Sequence, residues 1–343
     1  MNGFFSCRNF FLLLLLLLNV SLFAQIPSGY YTNAKNKKEK ELKTALAVII
    51  RPHTERSYKN LWSDFQSTDK AADGTVWDMY SSVTKFTFVK EQCGNYSSEG
   101  DCYNREHSFP KSWFNDETPM YTDLYHIYPT DGYVNNRRGN DPFGETNSPT
   151  YSSTGGFSKL GRSSFPGYSD VVFEPNDEYK GDFARTYFYM VTCYENNVSS
   201  WNSPMLANNK YPAFDTWAVN LLLKWCREDP VSKKEKDRNE AVYKIQHNRN
   251  PFIDFPGLEE LIWGNKKDVA FDPDGYTGIT SAETLLRVYV RSGKVVVETD
   301  DTVQVSVYDA LGRCIKQVST EPGTSEIELP SGIYIVNGVK VVI

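Results

Sequence analysis

Two short segments hold the side chains best suited to catalysis. The first, NREHSFP at residues 104–110, contains Glu106 and His107, and the second, TDLYHIYPTDGYVNNRRGN at residues 122–140, contains Asn135. A neutral histidine can take a proton from water near neutral pH. Carboxylate and amide oxygens are hard donors of the kind that bind a divalent cation such as Mg²⁺. Together these groups could activate a water molecule and neutralise a phosphate diester.

The spacing of these residues predicts a compact supersecondary unit. Residues 123–128 (DLYHIY) alternate as a short strand does, and residues 130–132 (TDG) have the composition of a turn. Residues 134–138 (VNNRR) can then begin a helix. Glu106 and Asn135 are 29 positions apart in the chain, so only the turn could bring them together. A strand with a base, a turn and a helix with a ligand form a ββα unit.

The surrounding sequence predicts a domain that is mostly helical. Helices are predicted over residues 38–50, 57–65, 182–194, 214–228 and 232–249. Short alternating runs predict strands over residues 76–80 and 85–89. Residues 140–168 are rich in Gly, Ser, Pro and Asn, and they predict a long surface loop packed by its aromatic side chains.

The composition fits one large domain and a small one. The chain has 343 residues, of which 40% are hydrophobic and 14% aromatic, so it can bury a sizeable core. Its formal net charge of −6 argues against a protein that coats nucleic acid passively, because such binding needs many contacts between basic side chains and phosphates. The net charge does not exclude an enzyme with a local basic cleft.

The N-terminus has the pattern of a secretory signal. Arg8 precedes an apolar run at residues 10–18, and the small residue Ala24 ends the segment. The run is shorter than the about 20 residues that span a bilayer, and a retained membrane anchor is the alternative. We therefore assign residues 1–24 as a signal peptide. We expect an exported monomer with no membrane-spanning helix in the mature chain.

Export would allow disulfides to form. Cys93 and Cys102 flank a Gly/Ser/Asn-rich loop and could close it as a disulfide. Free cysteines are often buried, and for Cys193 and Cys226 a buried free thiol is an equally good interpretation. Cys314 lies in a different segment, and we expect it to be unpaired.

The C-terminal tail differs in pattern from the rest of the chain. Residues 271–284 have the composition of a linker, and period-2 alternation then predicts a small β-sandwich over residues 285–343. The runs VYDALGRCI and LPSGIYIVNGVKVVI resemble the C-terminal sorting domain of the type IX secretion system. The resemblance implies that the secretion machinery is a partner and that the tail directs release or attachment at the cell surface. A carbohydrate-binding or adhesion module is the alternative.

The catalytic segments resemble the bacterial endonuclease I family of secreted and periplasmic nucleases, which have a His-Me finger (ββα-metal) active site. The similarity covers NREHSFPKSWF and TDLYHIYPTDGYVNNRRGNDPFGE, and it extends to VWDMY at 76–80, FEP at 173–175, KGDFAR at 180–185 and NRNPFID at 248–254. The resemblance implies an α+β fold. A mostly helical nuclease domain at residues 25–270 would surround the ββα-metal core and precede the small β region.

The resemblance also implies roles at the site. His107 matches the general base that takes a proton from water. Glu106 and Asn135 match the two protein ligands of a single divalent cation. We expect Mg²⁺ first, with Ca²⁺ or Mn²⁺ as alternatives, because Mg²⁺ binds through few protein groups and keeps several waters.

The arginine that binds the substrate phosphate is less well determined. Arg185, which ends KGDFAR, is the first candidate, because a guanidinium can bond phosphate bidentately. Arg137 and Arg138 are weaker candidates, and a solvated pair is the alternative interpretation for them.

The sequence departs from the family pattern within the second segment. Members of the family often have Asp-Leu-His-His where residues 123–126 read Asp-Leu-Tyr-His, so Tyr125 replaces the first histidine. We interpret His126 as a buried structural histidine, because it lies within an alternating apolar run. An arginine present just upstream in some relatives is missing, since Pro-Met-Tyr-Thr stands at residues 119–122. For Asn135, a helix N-cap is the alternative to a ligand.

Three functions remain open on this sequence. The first is a secreted, metal-dependent, non-specific endonuclease that hydrolyses DNA, with RNA as a further substrate, through phosphate contacts and little base readout. The second is a catalytically silent surface module that binds nucleic acid or glycan, and Tyr125 is its only support. The third is a hydrolase of small phosphodiesters, which would need a narrow pocket.

Overall fold

The structure is a computed structural model that describes most of the chain. It covers residues 26–276 and, in the C-terminal region, residues 287–291, 293–299, 303–310, 313–321, 323–336 and 339–343. The predicted signal peptide at residues 1–24 and the greater part of the predicted linker, residues 277–284, lie outside the described residues.

The N-terminal helices follow the apolar spacing of the sequence. Helix α1 (Glu39–Ile50) buries the residues spaced four apart at Leu42, Leu46 and Ile50, which confirms the predicted helix. Helix α2 (Leu61–Thr68) begins four residues later than predicted, because residues 57–60 form a turn in which the Asn60 N–H bonds the Ser57 carbonyl.

The predicted ββα unit is present. Strand β1 (Tyr103–His107) pairs antiparallel with β2 (Ile127–Asp131), so that Tyr103 lies opposite Asp131, and helix α3 (Gly132–Arg138) follows directly. The second strand starts four residues later than predicted, because residues 123–126 form a turn in which the His126 N–H bonds the Asp123 carbonyl.

The strands predicted over residues 76–80 and 85–89 are wrong. Within these residues the structure has only an isolated bridge at Val76. In the first of these segments the Asp78 carboxylate accepts a hydrogen bond from the Tyr80 N–H at 2.8 Å, so this backbone donor is not available to a neighbouring strand, and it also accepts from the Asp131 N–H at 3.1 Å.

A small sheet interrupts the predicted loop at residues 140–168. Strands β3 (Pro149–Ser152), β4 (Lys159–Arg162) and β5 (Val171–Glu174) form an antiparallel sheet in that order. The predicted aromatic packing is present, because Tyr151, Phe157, Leu160 and Phe165 pack against the main core.

The core of the first region is built around one helix. Every residue of α4 (Lys180–Cys193) is buried, and α4 packs against α1 and against helix α5 (Thr216–Glu228). Helix α6 (Lys233–Gln246) begins at a capping box formed by Ser232 and Glu235. These helices confirm the three predicted in this part of the chain. Two short helices follow, α7 (Pro251–Asp254) and α8 (Leu258–Ile262).

The described residues of the C-terminal region form seven strands. They are β6 (Arg287–Arg291), β7 (Lys294–Thr299), β8 (Val303–Asp309), β9 (Cys314–Thr320), β10 (Gly323–Ile327), β11 (Ile333–Val336) and β12 (Val339–Val342). Two antiparallel sheets form, in the orders β10-β7-β6 and β12-β11-β8-β9. They share a separate apolar core of valines such as Val295, Val305 and Val336. Helices and antiparallel sheets together make the fold α+β, as predicted.

Within the part of the chain that the structure describes, none of the helices has the length and apolar character needed to cross a lipid bilayer.

Candidate active site

Glu106 lies on β1 with one carboxylate oxygen bound and the other open. Its side chain is 4% exposed. Oε1 accepts a hydrogen bond from the Tyr80 hydroxyl at 2.8 Å and forms an ion pair with Arg138. Oε2 has no hydrogen-bond partner among the described residues and is not an enclosed atom, so it reaches solvent. Burial raises the pKa of Glu106, and the positive charge of Arg138 opposes that rise.

Asn135 lies on the face of α3 that contacts β1. Its Nδ2 donates to Asn104 Oδ1 at 2.7 Å, and Asn104 is on the same side of β1 as Glu106 because side chains two apart in a strand share a face. Asn135 and Arg138 are three apart in the helix and share a face in the same way. The structure therefore brings Asn135 and Glu106 to the same β1–α3 junction. The Asn135 Oδ1 is left without a partner in the described chain and is not enclosed.

The N-cap interpretation of Asn135 is wrong. The N-cap of α3 is Asp131, whose Oδ1 accepts a hydrogen bond from the Val134 N–H at 2.9 Å. Asn135 lies one turn inside the helix, so its side-chain amide does not cap the helix.

His107 ends β1 with a defined tautomer. Its Nε2 lies 3.1 Å from the Tyr121 carbonyl oxygen, which can only accept, so Nε2 must carry the proton. Nδ1 then holds the lone pair, and in the described chain it has no hydrogen-bond partner and is not enclosed. The ring stacks on Tyr121 at 5.1 Å between centroids. Burial, with a smaller contribution from His126, lowers the pKa of His107 to about 3.

His126 and Tyr125 lie behind the site. His126 is fully buried and its Nε2 donates to the Met120 carbonyl at 2.6 Å, as a structural histidine would. Tyr125 is also buried, and its hydroxyl donates to Asn239 Oδ1 at 2.7 Å on α6. The departure from the family pattern at Tyr125 therefore changes the core and leaves the open atoms at the β1–α3 junction untouched.

The expected substrate role of Arg185 is corrected by its surroundings. The side chain is 2% exposed. Nε and Nη2 donate to the Glu235 carboxylate, and Nη1 donates to the Asp229 carbonyl at 2.8 Å. Arg185 thus joins α4 to α6 as a buried ion pair, and its guanidinium does not reach the surface where a phosphate would bind.

Arg138 is corrected in the same way. It is fully buried, and its Nη2 donates to the Ser108 carbonyl at 2.7 Å and to the Tyr187 hydroxyl at 3.2 Å. Its Nη1 binds Glu106 and the Tyr80 hydroxyl. Arg138 therefore orients the Glu106 carboxylate and does not reach the surface.

Arg137 is the member of the pair that remains available. Its side chain is exposed, and the guanidinium lies 4.9 Å from the Tyr151 ring and 5.3 Å from the Tyr133 ring. These cation–π contacts hold the charge beside two tyrosine rings. They leave the hydrogen-bond donors of the guanidinium unused.

A disulfide-closed loop supports the start of α3. Cys93 and Cys102 form a disulfide with their Cα atoms 5.7 Å apart, and Cys193 and Cys226 are buried free thiols. From within this loop the Gly100 N–H donates to Asp131 Oδ2 at 2.7 Å. The loop therefore holds the residue that caps the helix carrying Asn135.

Sequence reasoning missed the residues that support the open atoms. Asn104 orients Asn135, and its position two residues before Glu106 in a strand was a usable signal. Tyr80 holds Glu106 from a distant segment without any local pattern to indicate it. Tyr121 fixes the His107 tautomer through its carbonyl, an interaction that any residue type could make.

The donor set suits a hydrated divalent cation. Within the described residues, no group of three or more His, Cys, Asp and Glu side chains could hold a metal ion. Glu106 and Asn135 would supply one carboxylate and one amide oxygen, both open, and Mg²⁺ is a cation that tolerates so few protein ligands because it keeps several waters. The residues present therefore fit such an ion.

Comparison with known protein families agrees with this geometry. The family model described as Endonuclease I matches residues 38–257, which include β1, β2, α3 and all of α4 to α6. The chain belongs to the endonuclease I family. Membership makes the protein a nuclease, and it places the β1–α3 junction within the matched region.

Two proteins that are similar to this chain are named "Extracellular ribonuclease". The protein from Bacillus amyloliquefaciens is 37% identical over 242 residues, which is 68% of this chain and 78% of the relative. The protein from Bacillus subtilis (strain 168) is 34% identical over 242 residues, and the match again covers 68% of this chain and 78% of the relative. A third, "Endonuclease-1" of Buchnera aphidicola subsp. Acyrthosiphon pisum, is 26% identical over 133 residues, covering 38% of this chain and 44% of the relative.

Proposed function

We propose that the protein is a secreted endonuclease that hydrolyses the phosphodiester bonds of DNA and RNA with His107 as general base and one divalent cation held by Glu106 and Asn135. One observation carries the proposal. Three acceptor atoms around the β1–α3 unit, His107 Nδ1, Glu106 Oε2 and Asn135 Oδ1, are open, while Glu106 Oε1, His107 Nε2 and Asn135 Nδ2 are each hydrogen-bonded and hold these side chains in place.

The His107 tautomer suits proton abstraction. Nδ1 takes a proton from the attacking water as the water oxygen bonds to phosphorus and the P–O3′ bond breaks, which leaves a 5′-phosphate and a 3′-alkoxide that takes up a proton from solvent to become the 3′-hydroxyl. The Nε2–H bond to the Tyr121 carbonyl then stabilises the imidazolium, because a carbonyl dipole favours a positive donor. Proton abstraction of this kind contributes about 10²–10⁴-fold.

Glu106 and Asn135 would hold the cation at the same junction. When bound, such an ion polarises the phosphoryl oxygen and stabilises the leaving oxygen. Arg138 keeps the Glu106 carboxylate in place, and Asn104 keeps the Asn135 amide oriented so that its oxygen is the open atom. The ion is Mg²⁺ by donor type, with Mn²⁺ or Ca²⁺ as substitutes.

Substrate range is supported by the relatives. Two are named ribonucleases and one is named an endonuclease, so we propose that this chain acts on both DNA and RNA. Exposed Arg137 is the proposed contact to a substrate phosphate near the site. Export is supported by the two relatives named extracellular and by the N-terminal signal pattern. A tail that directs type IX secretion, with release or attachment at the surface, remains our proposal from the sequence resemblance.

The deciding experiment compares two histidine variants. His107→Ala should lower plasmid and RNA cleavage by about 10²–10⁴-fold at saturating Mg²⁺, and EDTA should abolish cleavage by the wild type. His247→Asn is the matched control, because His247 is an exposed helix C-cap at φ 66°, a conformation that asparagine tolerates.

The outcomes separate the alternatives. Full activity in a folded His107→Ala protein would reject the general base. Nucleic-acid binding without cleavage by the wild type under any metal would favour the silent module, and cleavage of a nitrophenyl phosphodiester without cleavage of plasmid would favour the small-ester hydrolase. Cleavage of RNA with no cleavage of DNA would reject the proposed substrate range, and products that carry a 2′,3′-cyclic phosphate would reject water as the nucleophile.

A further inference from the structure

Arg105 is a half-buried cation beside the proposed base. It lies two residues before His107 on β1, so the two side chains share one face of the strand. Its guanidinium carbon lies 3.6 Å from the centroid of the Tyr58 ring and 4.3 Å from that of Trp62. Its Nη1 donates to the Tyr58 carbonyl at 2.8 Å. The two rings therefore fix the position of the charge.

The charge of Arg105 has no counter-anion in the described chain. The fully buried arginines each bind a carboxylate, in the pairs Arg138–Glu106, Arg185–Glu235, Arg238–Asp69 and Arg249–Asp254. Arg105 has no carboxylate within ion-pair distance among the described residues, and its Nε is buried without an acceptor. Burial lowers the pKa of this guanidinium, and the side chains that oppose the lowering are those of Tyr58 and Tyr121, with no carboxylate among them. A partly desolvated cation left unpaired is costly, and an incoming anion would remove that cost.

The position of Arg105 identifies the anion. Tyr58 contacts the guanidinium on one side, and its ring is also 6.1 Å from the His107 ring and 4.7 Å from Tyr121. The unpaired charge and the base therefore share one aromatic wall. A ligand that places a phosphodiester at His107 carries further phosphates at the spacing of its backbone, and a fixed guanidinium is well suited to bind one of them.

We propose that Arg105 binds a phosphate of the nucleic-acid strand next to the bond that is cleaved, held for this purpose by Tyr58 and Trp62. The inference deepens the proposed function and rests on it for the identity of the ligand. It assigns to this side chain the phosphate contact that Arg185 and Arg138 cannot make. Arg105 acts in binding and does not exchange a proton with the substrate.

The test measures binding in the absence of cleavage. A fluorescein-labelled single-stranded DNA oligonucleotide is titrated with the full chain in EDTA, and the dissociation constant is followed from low to high salt. Arg105→Gln should weaken binding by about tenfold or more, which is typical for loss of a hydrogen bond to a charged group. The slope of log K against log salt should fall by about 0.7, the value for one phosphate contact on a single strand.

Two further variants separate charge from packing. Arg105→Lys should keep a slope near that of the wild type, because the positive charge remains. Arg51→Gln is the matched control: Arg51 is also half-buried with a buried, unpartnered Nε, but it lies at the C-terminal end of α1. Its binding and slope should be unchanged.

The proposal and the proposed function fail in different ways. A wild-type slope in folded Arg105→Gln would overturn the phosphate contact. A reduced salt slope in Arg105→Lys, with an unchanged midpoint of thermal unfolding, would also overturn it. In that variant the positive charge is kept, so a weaker salt dependence could not come from loss of a charge–phosphate contact. Wild-type protein that binds with the predicted Arg105 dependence but never cleaves would instead overturn the nuclease mechanism and leave the contact in place.

Discussion

Arg137 and Arg138 are neighbours in the chain with opposite surroundings. Arg138 is buried against Glu106, whereas the Arg137 guanidinium lies over two tyrosine rings at the surface. The sequence predicted two similar candidates because nothing local separates them. Burial is decided by partners far away in the chain, in the same way that Arg185 is engaged by Glu235, 50 residues later.

This contrast predicts different results for matched substitutions. Arg138→Gln leaves a buried carboxylate unpaired, so it should lower the free energy of unfolding by about 3–5 kcal/mol. Arg137→Gln removes only a surface charge, so stability should change by about 0.5 kcal/mol or less while KM for DNA rises. Urea unfolding and steady-state cleavage measure the two effects. Equal stability of the two variants would contradict the assignment.

The imidazole of His107 should not titrate between pH 5 and 8. Burial lowers its pKa to about 3, so it stays neutral in the folded, metal-free protein across this range. The measurement is the NMR shift of the ring C–H protons, with the signal assigned by comparison with His107→Gln. The chain has only four histidines, which makes the assignment practical. A midpoint above pH 5 for this signal would contradict the prediction.

The same lowered pKa makes acid destabilising. As pH falls below about 6.5, the unfolded chain binds the His107 proton but the folded chain does not. Folding should therefore lose up to about 1.4 kcal/mol for each pH unit until the folded pKa is reached. The stability supplied by the neutral ring is complete above pH 6.5. His107→Gln should have a shallower loss of stability between pH 6.5 and 5 than the wild type.

At the scale of elements, the ββα unit could be predicted and its supports could not. Local alternation and a following helix start are readable within residues 123–138, but the turn predicted at residues 130–132 is wrong, because Thr130 and Asp131 end β2 and Gly132 begins α3. The strand predicted at residues 76–80 is also absent, and Asp78 in that segment bonds the Asp131 N–H, 53 residues away. Such a long-range side-chain contact leaves no periodic signal in either segment.

The disulfide loop should stabilise α3 and the proposed cation site together. Cys93→Ser with Cys102→Ser removes a closure over nine positions, which should cost about 2–3 kcal/mol in the free energy of unfolding. The Gly100 contact to Asp131 weakens with it, so the Mg²⁺ concentration needed for half-maximal cleavage should rise.

Exposed Cys314 supplies the control for this double variant. Cys314→Ser should leave both the unfolding free energy and the Mg²⁺ requirement unchanged. If the double variant is less stable but its Mg²⁺ requirement is unchanged, the loop does not support the proposed cation site.

For the whole molecule, the described residues contain two large apolar cores and a small third cluster of Val76, Phe86 and Tyr103. One includes α1 to α8 and extends to Phe271, and the other lies within the C-terminal β region. The change from helical spacing to period-2 alternation near residue 285 made this division predictable from the sequence. The sequence did not indicate that Phe271 closes the first core, where its N–H and carbonyl bond Lys37 and Asn36.

Truncation tests the independence of the nuclease region. A chain of residues 25–284 should keep wild-type cleavage and a similar midpoint of thermal unfolding, because every contact described for the site lies before residue 277. A chain that ends at residue 268 is the comparison. It loses Phe271, a fully buried side chain, so it should be destabilised by about 3–5 kcal/mol. Loss of activity in the longer chain would show that the tail contributes to catalysis.

The disulfide between Cys93 and Cys102 has a consequence for the cell that makes the protein. Disulfides persist in oxidising compartments and are rare in the reducing cytosol. The compartment of synthesis, where the cell's own chromosome and messengers lie, is thus the one in which this loop is open and the cap of α3 is least supported. In a protein exported as we propose, the loop would close only after export, so the site would be less supported while the chain shares a compartment with the nucleic acids of its producer.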